Sequence, residues 1–187
     1  MRFRSSLYRS GLLGAALLLK AVLPAEALTT HAGLPLRVHF QLNYAELYSD
    51  SANAHEDIRQ ALLKATAEHK NVLLVFGGNW CLDCHLLDLY FHDPGNASLL
   101  ATNYVLVNVN VGEYDRNLDL ARKYGIPLSK GVPALVVLNG AGRVLYAQRD
   151  AEFENMRVKD ASAVTAFLLK WKPRLIHKPT TKHRTGR

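Results

Sequence analysis

An α/β fold is predicted by three observations. The run Asn71 to Phe76 is almost entirely apolar, the length and composition of a strand buried on both faces, and Gly77-Gly78-Asn79 ends it. Directly after that break the apolar spacing becomes helical, and strand-type and helix-type segments go on alternating to about residue 171. A chain of 187 residues with 49% hydrophobic content has material for one such core, and it shows no internal repeat or low-complexity block.

The elements follow in order. His55 to Lys70 reads as an amphipathic helix with Ile58, Ala61, Leu62 and Ala65 on one face. After the buried strand, a helix starting at Cys81 places Leu82, Leu86, Leu89 and Tyr90 at helical spacings and leaves near His92-Asp93-Pro94-Gly95. Tyr104 to Asn110 is a second strand, and Leu118 to Tyr124 is a short helix with Leu118, Leu120 and Ala121 as its apolar residues. Ala134 to Leu138 and Arg143 to Gln148 are strands joined by Asn139-Gly140-Ala141-Gly142, a hairpin signal. Ala161 to Trp171 closes the domain as a helix, and Leu36 to Leu42 alternates as an edge strand would.

The only two cysteines lie in Trp80-Cys81-Leu82-Asp83-Cys84-His85, which spells two chemistries. Trp-Cys-x-x-Cys is a redox dithiol, whereas Cys81-x-x-Cys84-His85 is the attachment signature of a c-type haem, with Met156, His92 or His39 as candidate second iron ligands. Zinc would need four ligands, and neither a second Cys pair nor a spaced His pair is present. Glu113, Asp115 and Asn117 lack the full set of a calcium loop. Asn96-Ala97-Ser98 matches a glycosylation sequon.

Position favours the dithiol, because the motif opens a helix behind a buried strand. Unpaired N–H groups and the helix dipole stabilise negative charge there, and such a setting lowers a thiol pKa from about 8.5 to roughly 3.5–7.5. Cys81 is then the nucleophile, and Cys84, nearly one turn on, attacks the mixed disulfide that Cys81 forms. His85, four residues after Cys81, is either a ring within reach of the Cys81 sulfur that tunes it or an exposed polar residue on the helix, while Asp83 would disfavour the thiolate.

The chain resembles the thioredoxin superfamily from about Ala52 to Lys172. Beyond the motif, the resemblance rests on Tyr124-Gly125-Ile126, on Gly131-Val132-Pro133-Ala134-Leu135 and on Asn139-Gly140, with Pro127-Leu128-Ser129-Lys130 lengthening the link between the first two. It implies a thioredoxin fold, a central mixed sheet flanked by helices in the order βαβαββα, with an extra leading helix. It further implies a cis proline at Pro133 facing the dithiol, Val132 and Pro133 presenting backbone to an extended substrate peptide, and Trp80 packed over the site. The expected function is thiol–disulfide exchange with no cofactor beyond a redox-active Cys81–Cys84 disulfide. A haem electron carrier and a non-catalytic interaction module are the alternatives. One departure stands out: the family carries a buried aspartate six residues before its first cysteine, and Val75 occupies that place. The resemblance then implies slow reduction near neutral pH, unless water, His85 or Asp83 moves the Cys84 proton.

Outside the domain, residues 1–27 read as an export signal, with Arg2, Arg4 and Arg9 before an apolar stretch and Ala25-Glu26-Ala27 as the cleavage site. The apolar run is too short to span a bilayer, which takes about 20 residues. Residues 28–51 form an N-terminal extension, 52–172 the domain and 173–187 a basic tail expected to be disordered. The net charge of +7 belongs to the ends. Residues 1–27 hold four basic and one acidic residue and the tail five basic and none acidic, leaving 14 basic against 15 acidic between them. The reading is therefore a periplasmic or secreted monomer with no nucleic-acid partner and no stable membrane span. It meets protein or small-molecule thiols and disulfides and an unidentified redox partner.

Overall fold

The computed structural model describes residues 46–174. The export signal, the alternating segment at 36–42, His39 and residues 175–187 lie outside the described residues. In chain order the elements are helix α1 (Ala54–Glu68), strand β1 (Asn71–Gly77), α2 (Leu82–Phe91), α3 (Pro94–Asn103), β2 (Tyr104–Asn110), α4 (Leu118–Tyr124), β3 (Ala134–Leu138), β4 (Val144–Ala147) and α5 (Ala161–Trp171). Single 3₁₀ turns at Leu128–Lys130 and Met156–Val158 complete the set.

The sheet order is β2-β1-β3-β4. β1 runs parallel to β2, with Asn71 opposite Tyr104 and Gly77 opposite Asn110, and antiparallel to β3; β3 and β4 are antiparallel with an irregularity at Val137/Leu138. Every β1 residue is buried, and the strand's two-residue period divides them between two cores. Val72, Leu74 and Phe76 pack with Ile58, Ala61 and Ala65 of α1 and Leu120 and Ala121 of α4. Leu73 and Val75 pack with Leu87 and Phe91 of α2 and Val164 and Leu168 of α5. Each such side chain contributes about 1.5–3 kcal/mol on leaving water, so the strand that leads into the motif is anchored on both faces. The predicted mixed sheet flanked by helices is the observed one.

Local signals set the element ends. The Asn53 side chain accepts the Glu56 N–H at 3.2 Å and caps α1, and Asp160 accepts the Ser162 and Ala163 N–H groups and caps α5. Two buried side chains then fix α5 to the sheet: the Tyr104 hydroxyl donates to the Leu168 carbonyl at 2.7 Å and Asn71 Nδ2 to that of Trp171 at 2.8 Å.

Helix α3 is absent from the predicted order. Pro-Gly followed by Asn and Ser reads as a turn, yet Pro94 is tolerated in a first helical turn and Asp93 caps it by accepting the Gly95 N–H. Asn96, the residue of the sequon, is fully buried there. Its Nδ2 donates to the carbonyls of Tyr90 and Ala161, and its Oδ1 accepts from the Thr165 hydroxyl at 2.6 Å. Asn96 therefore ties α2, α3 and α5 together and offers no nitrogen to a glycan in the folded state.

Candidate active site

Cys81 and Cys84 are joined as a disulfide at the junction of β1 and α2. Cys81 is the N-cap of α2, and the Cys84 N–H points at the Cys81 sulfur from 3.1 Å. The same sulfur lies 3.5 Å from the Val132 carbonyl oxygen. The Val132–Pro133 peptide bond is cis, which brings the loop before β3 against the disulfide. Gln148 holds that loop: its Nε2 donates to the Pro133 carbonyl at 3.1 Å and its Oε1 accepts the Leu135 N–H at 3.3 Å. Gln148 was expected as the last residue of a strand; β4 stops at Ala147 and the Gln148 side chain turns inward instead, 2% exposed.

Aromatic rings form the rim. Trp80 is 46% exposed, and its Nε1 donates to the Gly112 carbonyl at 2.8 Å. Gly78 is required beneath it, since a Cβ there would meet Trp80 Nε1 at 2.7 Å. Tyr114, 41% exposed, stands with its ring centroid 5.4 Å from that of Trp80. Tyr114 reaches this place from a loop in which its own φ is +67°, a conformation uncommon for a tyrosine. Nothing in the local sequence signals it.

The charged residues beside the motif have other partners. Asp83 accepts the Met156 N–H at 2.8 Å and meets Arg157 Nε at 3.5 Å, tying the first turn of α2 to the 3₁₀ turn before α5. His85 Nε2 donates to the Asn79 carbonyl at 2.8 Å. Met156 is fully buried among Leu87, Phe91 and Val164, so the candidate haem methionine is a core residue. Asp115 Oδ1 accepts the Glu113 N–H and Asn117 Nδ2 donates to the Asn110 carbonyl, which makes this acidic stretch a self-bonded turn. Among the described residues no cluster of His, Cys, Asp and Glu is arranged to hold a metal.

Beneath the disulfide lies a floor built partly by residues 46–50. Asn79 clamps Tyr48 twice, accepting its N–H at 3.0 Å and donating to its carbonyl at 2.9 Å, and Asn108 and Asn110 donate to the carbonyls of Leu47 and Tyr48. The Tyr48 ring is thereby buried beside Cys84. A Cβ on Gly77 would lie 2.6 Å from Tyr48 Cζ and 2.7 Å from Cys84 Sγ, so the two groups flank one point that only glycine leaves open. Burial pushes the Tyr48 phenol well above its ordinary range, with the Asp88 charge adding to the shift. Asp88, one turn after Cys84, has its carboxyl raised by burial, against the opposing pull of His92 and His85. Sequence reasoning named neither Tyr48 nor Asp88. The helical spacing of Asp88 from Cys84 was a usable signal, whereas Tyr48 lies too far away in sequence to give one.

A disulfide at the start of a helix, behind a buried strand and facing a cis-proline loop, defines a thioredoxin-like oxidoreductase, with the disulfide itself as the redox group. The thioredoxin-like family matches residues 53–140. The crystal structure of a disulphide isomerase from Xylella fastidiosa Temecula1 is 37% identical, covering 67% of this chain and 96% of that one, with a TM-score of 0.65. The chain belongs to the thioredoxin superfamily. More remote in sequence or fold are a thioredoxin from Thermus thermophilus, 25% identical over 57% of this chain and 82% of that one (TM-score 0.40), and the reduced C-terminal domain of DsbD from Neisseria meningitidis, 18% identical over 67% and 100% (TM-score 0.47). No curated protein matches the chain. Among the described residues no helix is long and apolar enough to cross a membrane. Thiol–disulfide exchange is the chemistry of this chain, and the haem reading gives way because both sulfurs are committed to each other within a packed strand–helix junction.

Proposed function

We propose that the protein exchanges disulfides with exported proteins, with Cys81 as the attacking sulfur and Cys84 as the resolving one. The observation that carries this reading is the setting of Cys81: its sulfur receives the Cys84 N–H at the start of α2, where a thiolate is stabilised, and lies beside the Val132 carbonyl. Cys84 sits deeper, 1% exposed against 5% for Cys81. Trp80, Val132 and Pro133 form the substrate-facing rim, where the backbone at Val132 offers an extended peptide a partner. Asp83 and His85 tune Cys81 by fixing the first turn of α2 and the Asn79 loop that carry it.

The functional unit is residues 52–172, acting as a monomer outside the cytoplasm. The export-type pattern of residues 1–27 supports that location, and a relative described as a disulphide isomerase supports a protein substrate. Turnover with a disulfide-bonded protein such as insulin tests the reading. Sustained reduction dependent on both cysteines is expected, and an intact Cys pair without turnover would leave only an interaction module. Selective labelling of Cys81 and Cys84 by a membrane-impermeant thiol reagent in intact cells checks the location.

A further inference from the structure

The resolving step has a proton to place, and the sheet beneath Cys84 offers no acceptor. Val75 is 2% exposed and apolar, and across β2 its register partner is the neutral Asn108. The crevice beside the Cys84 sulfur is lined by Tyr48, Val75, Leu87, Asp88 and Asn108 among others, and is too narrow to admit a water molecule. Of the described side chains lining the crevice, Asp88 is the one carboxylate. Asp88 is four residues after Cys84 on α2, on the same face, and both residues line this crevice.

We propose that Asp88 accepts the proton of Cys84 when Cys84 resolves the mixed disulfide. The proposal rests on the roles given above to the two cysteines. As the proton moves to the Asp88 carboxylate, Cys84 Sγ bonds to Cys81 Sγ and the bond from Cys81 to the substrate sulfur breaks. The electron pair leaves on the substrate thiolate, which is protonated from solvent; the dithiol is oxidised and the substrate disulfide reduced by two electrons. In the opposite direction Asp88 returns the proton to Cys84.

Other groups around Asp88 fit this division of labour. Tyr48 stays neutral, because burial and the Asp88 charge both oppose its ionisation. At the C-terminal cap of α2, His92 Nδ1 stands 3.3 Å from Asp88 Oδ2, and His85 on the helix also favours the carboxylate form. β1 and β2 present only Val75 and Asn108 to the crevice. Burial holds the Asp88 carboxyl above its ordinary value, closer to the range in which a base works at neutral pH.

The test is stopped-flow reaction of the reduced full chain with 5,5′-dithiobis(2-nitrobenzoate) across pH. The first thiolate released reports Cys81 attack and the second reports resolution. In the wild-type protein the second phase should show an inflection above the ordinary carboxylate value and run flat beyond it. Asp88→Asn should slow that phase at neutral pH by about 10- to 100-fold, leave the first within about twofold, and make the second climb only as Cys84 itself ionises. His92→Gln should move the inflection upward, since a favourable charge is lost, and Tyr48→Phe should keep it. His92→Gln and Asp88→Glu also serve should Asp88→Asn fold poorly. An unchanged second phase in Asp88→Asn, or an inflection that ignores His92→Gln, overturns the proposal while leaving the cysteine roles intact. A wild-type protein that releases no thiolate overturns both.

Discussion

The two sulfurs of one disulfide live in different surroundings. Cys81 faces a rim of exposed rings and backbone: Trp80, Tyr114 and the Val132 carbonyl. Cys84 faces a narrow floor lined by Tyr48 and Val75, with Asp88 one turn further along its own helix. The contrast shows how one short motif divides its labour. On the proposed roles, the sulfur that meets a partner has helix-dipole stabilisation and lies beside the rim, while the resolving sulfur sits deeper, with Asp88 as its proton partner.

The largest expected effect separates the two positions outright. Cys84→Ser removes the resolving thiolate, so mixed disulfides between Cys81 and substrate should accumulate in expressing cells. Cys81→Ser should trap almost none, because the remaining thiol is the deeper of the two. Non-reducing gels of affinity-purified protein read this directly, and equal trapping by both variants would erase the contrast.

Val75→Asp attacks the floor. An ionisable group would enter an apolar strand without an assured partner, which is expected to cost about 3 kcal/mol in denaturant titration. The family resemblance alone implies that this change should restore a missing acceptor and speed reduction. With Asp88 already beside Cys84, we expect a gain in the neutral-pH rate of no more than about twofold. A gain of tenfold or more would mean that the floor does lack a base.

The rim should respond in affinity for large substrates. Trp80→Ala or Tyr114→Ala removes an exposed ring from the platform, and kcat/KM with a protein substrate should fall by about tenfold, or ~1.4 kcal/mol. Reaction with a small aromatic disulfide should change far less. Equal losses for both substrates would place these rings in the chemistry rather than in recognition.

Much of this contrast was legible in the sequence, and the illegible part has a physical pattern. β1, β2, α4, β3 and α5 fall where hydrophobic period and turn residues place them, because each is decided by burial and by local breakers. The motif was legible for the same reason, being local, whereas the place of the Val132-Pro133 loop opposite it came from the family resemblance. Helix α3 was hidden by its Pro-Gly start, which caps a helix as readily as it closes a turn. Tyr48, Tyr114 and Gln148 were hidden because each is delivered to the site by loop conformation or distant hydrogen bonds, which leave no periodic trace. Asp83 and His85 were visible as charges near a thiol. Their ties to Met156 and Asn79 are long-range or turn-dependent, and those were not visible.

The smallest expected effect is a slope in stability against pH set by the floor. The Asp88 carboxyl is raised in the folded state by burial, so in the window between its unfolded and folded values the native protein binds more protons than the unfolded chain. Stability should therefore fall as pH rises through that window, opposite in sign to a carboxylate whose native value is depressed. Asp160 is such a group, held low by the Ser162 hydroxyl and by the N–H groups it caps; its contribution is present above the unfolded value and fades as pH falls through the folded one. The two slopes act on opposite sides of the unfolded carboxylate value, Asp160 below it and Asp88 above it. Because Asp88 keeps about a quarter of its side chain exposed and has His92 beside it, its part is small and screened. Asp88→Asn should flatten the decline on the less acidic side and leave the acid-side loss in place. Denaturant midpoints measured from acidic to neutral pH read the difference. An unchanged curve would mean that the Asp88 carboxyl is not raised, and the floor beneath Cys84 would be less sealed than its packing implies.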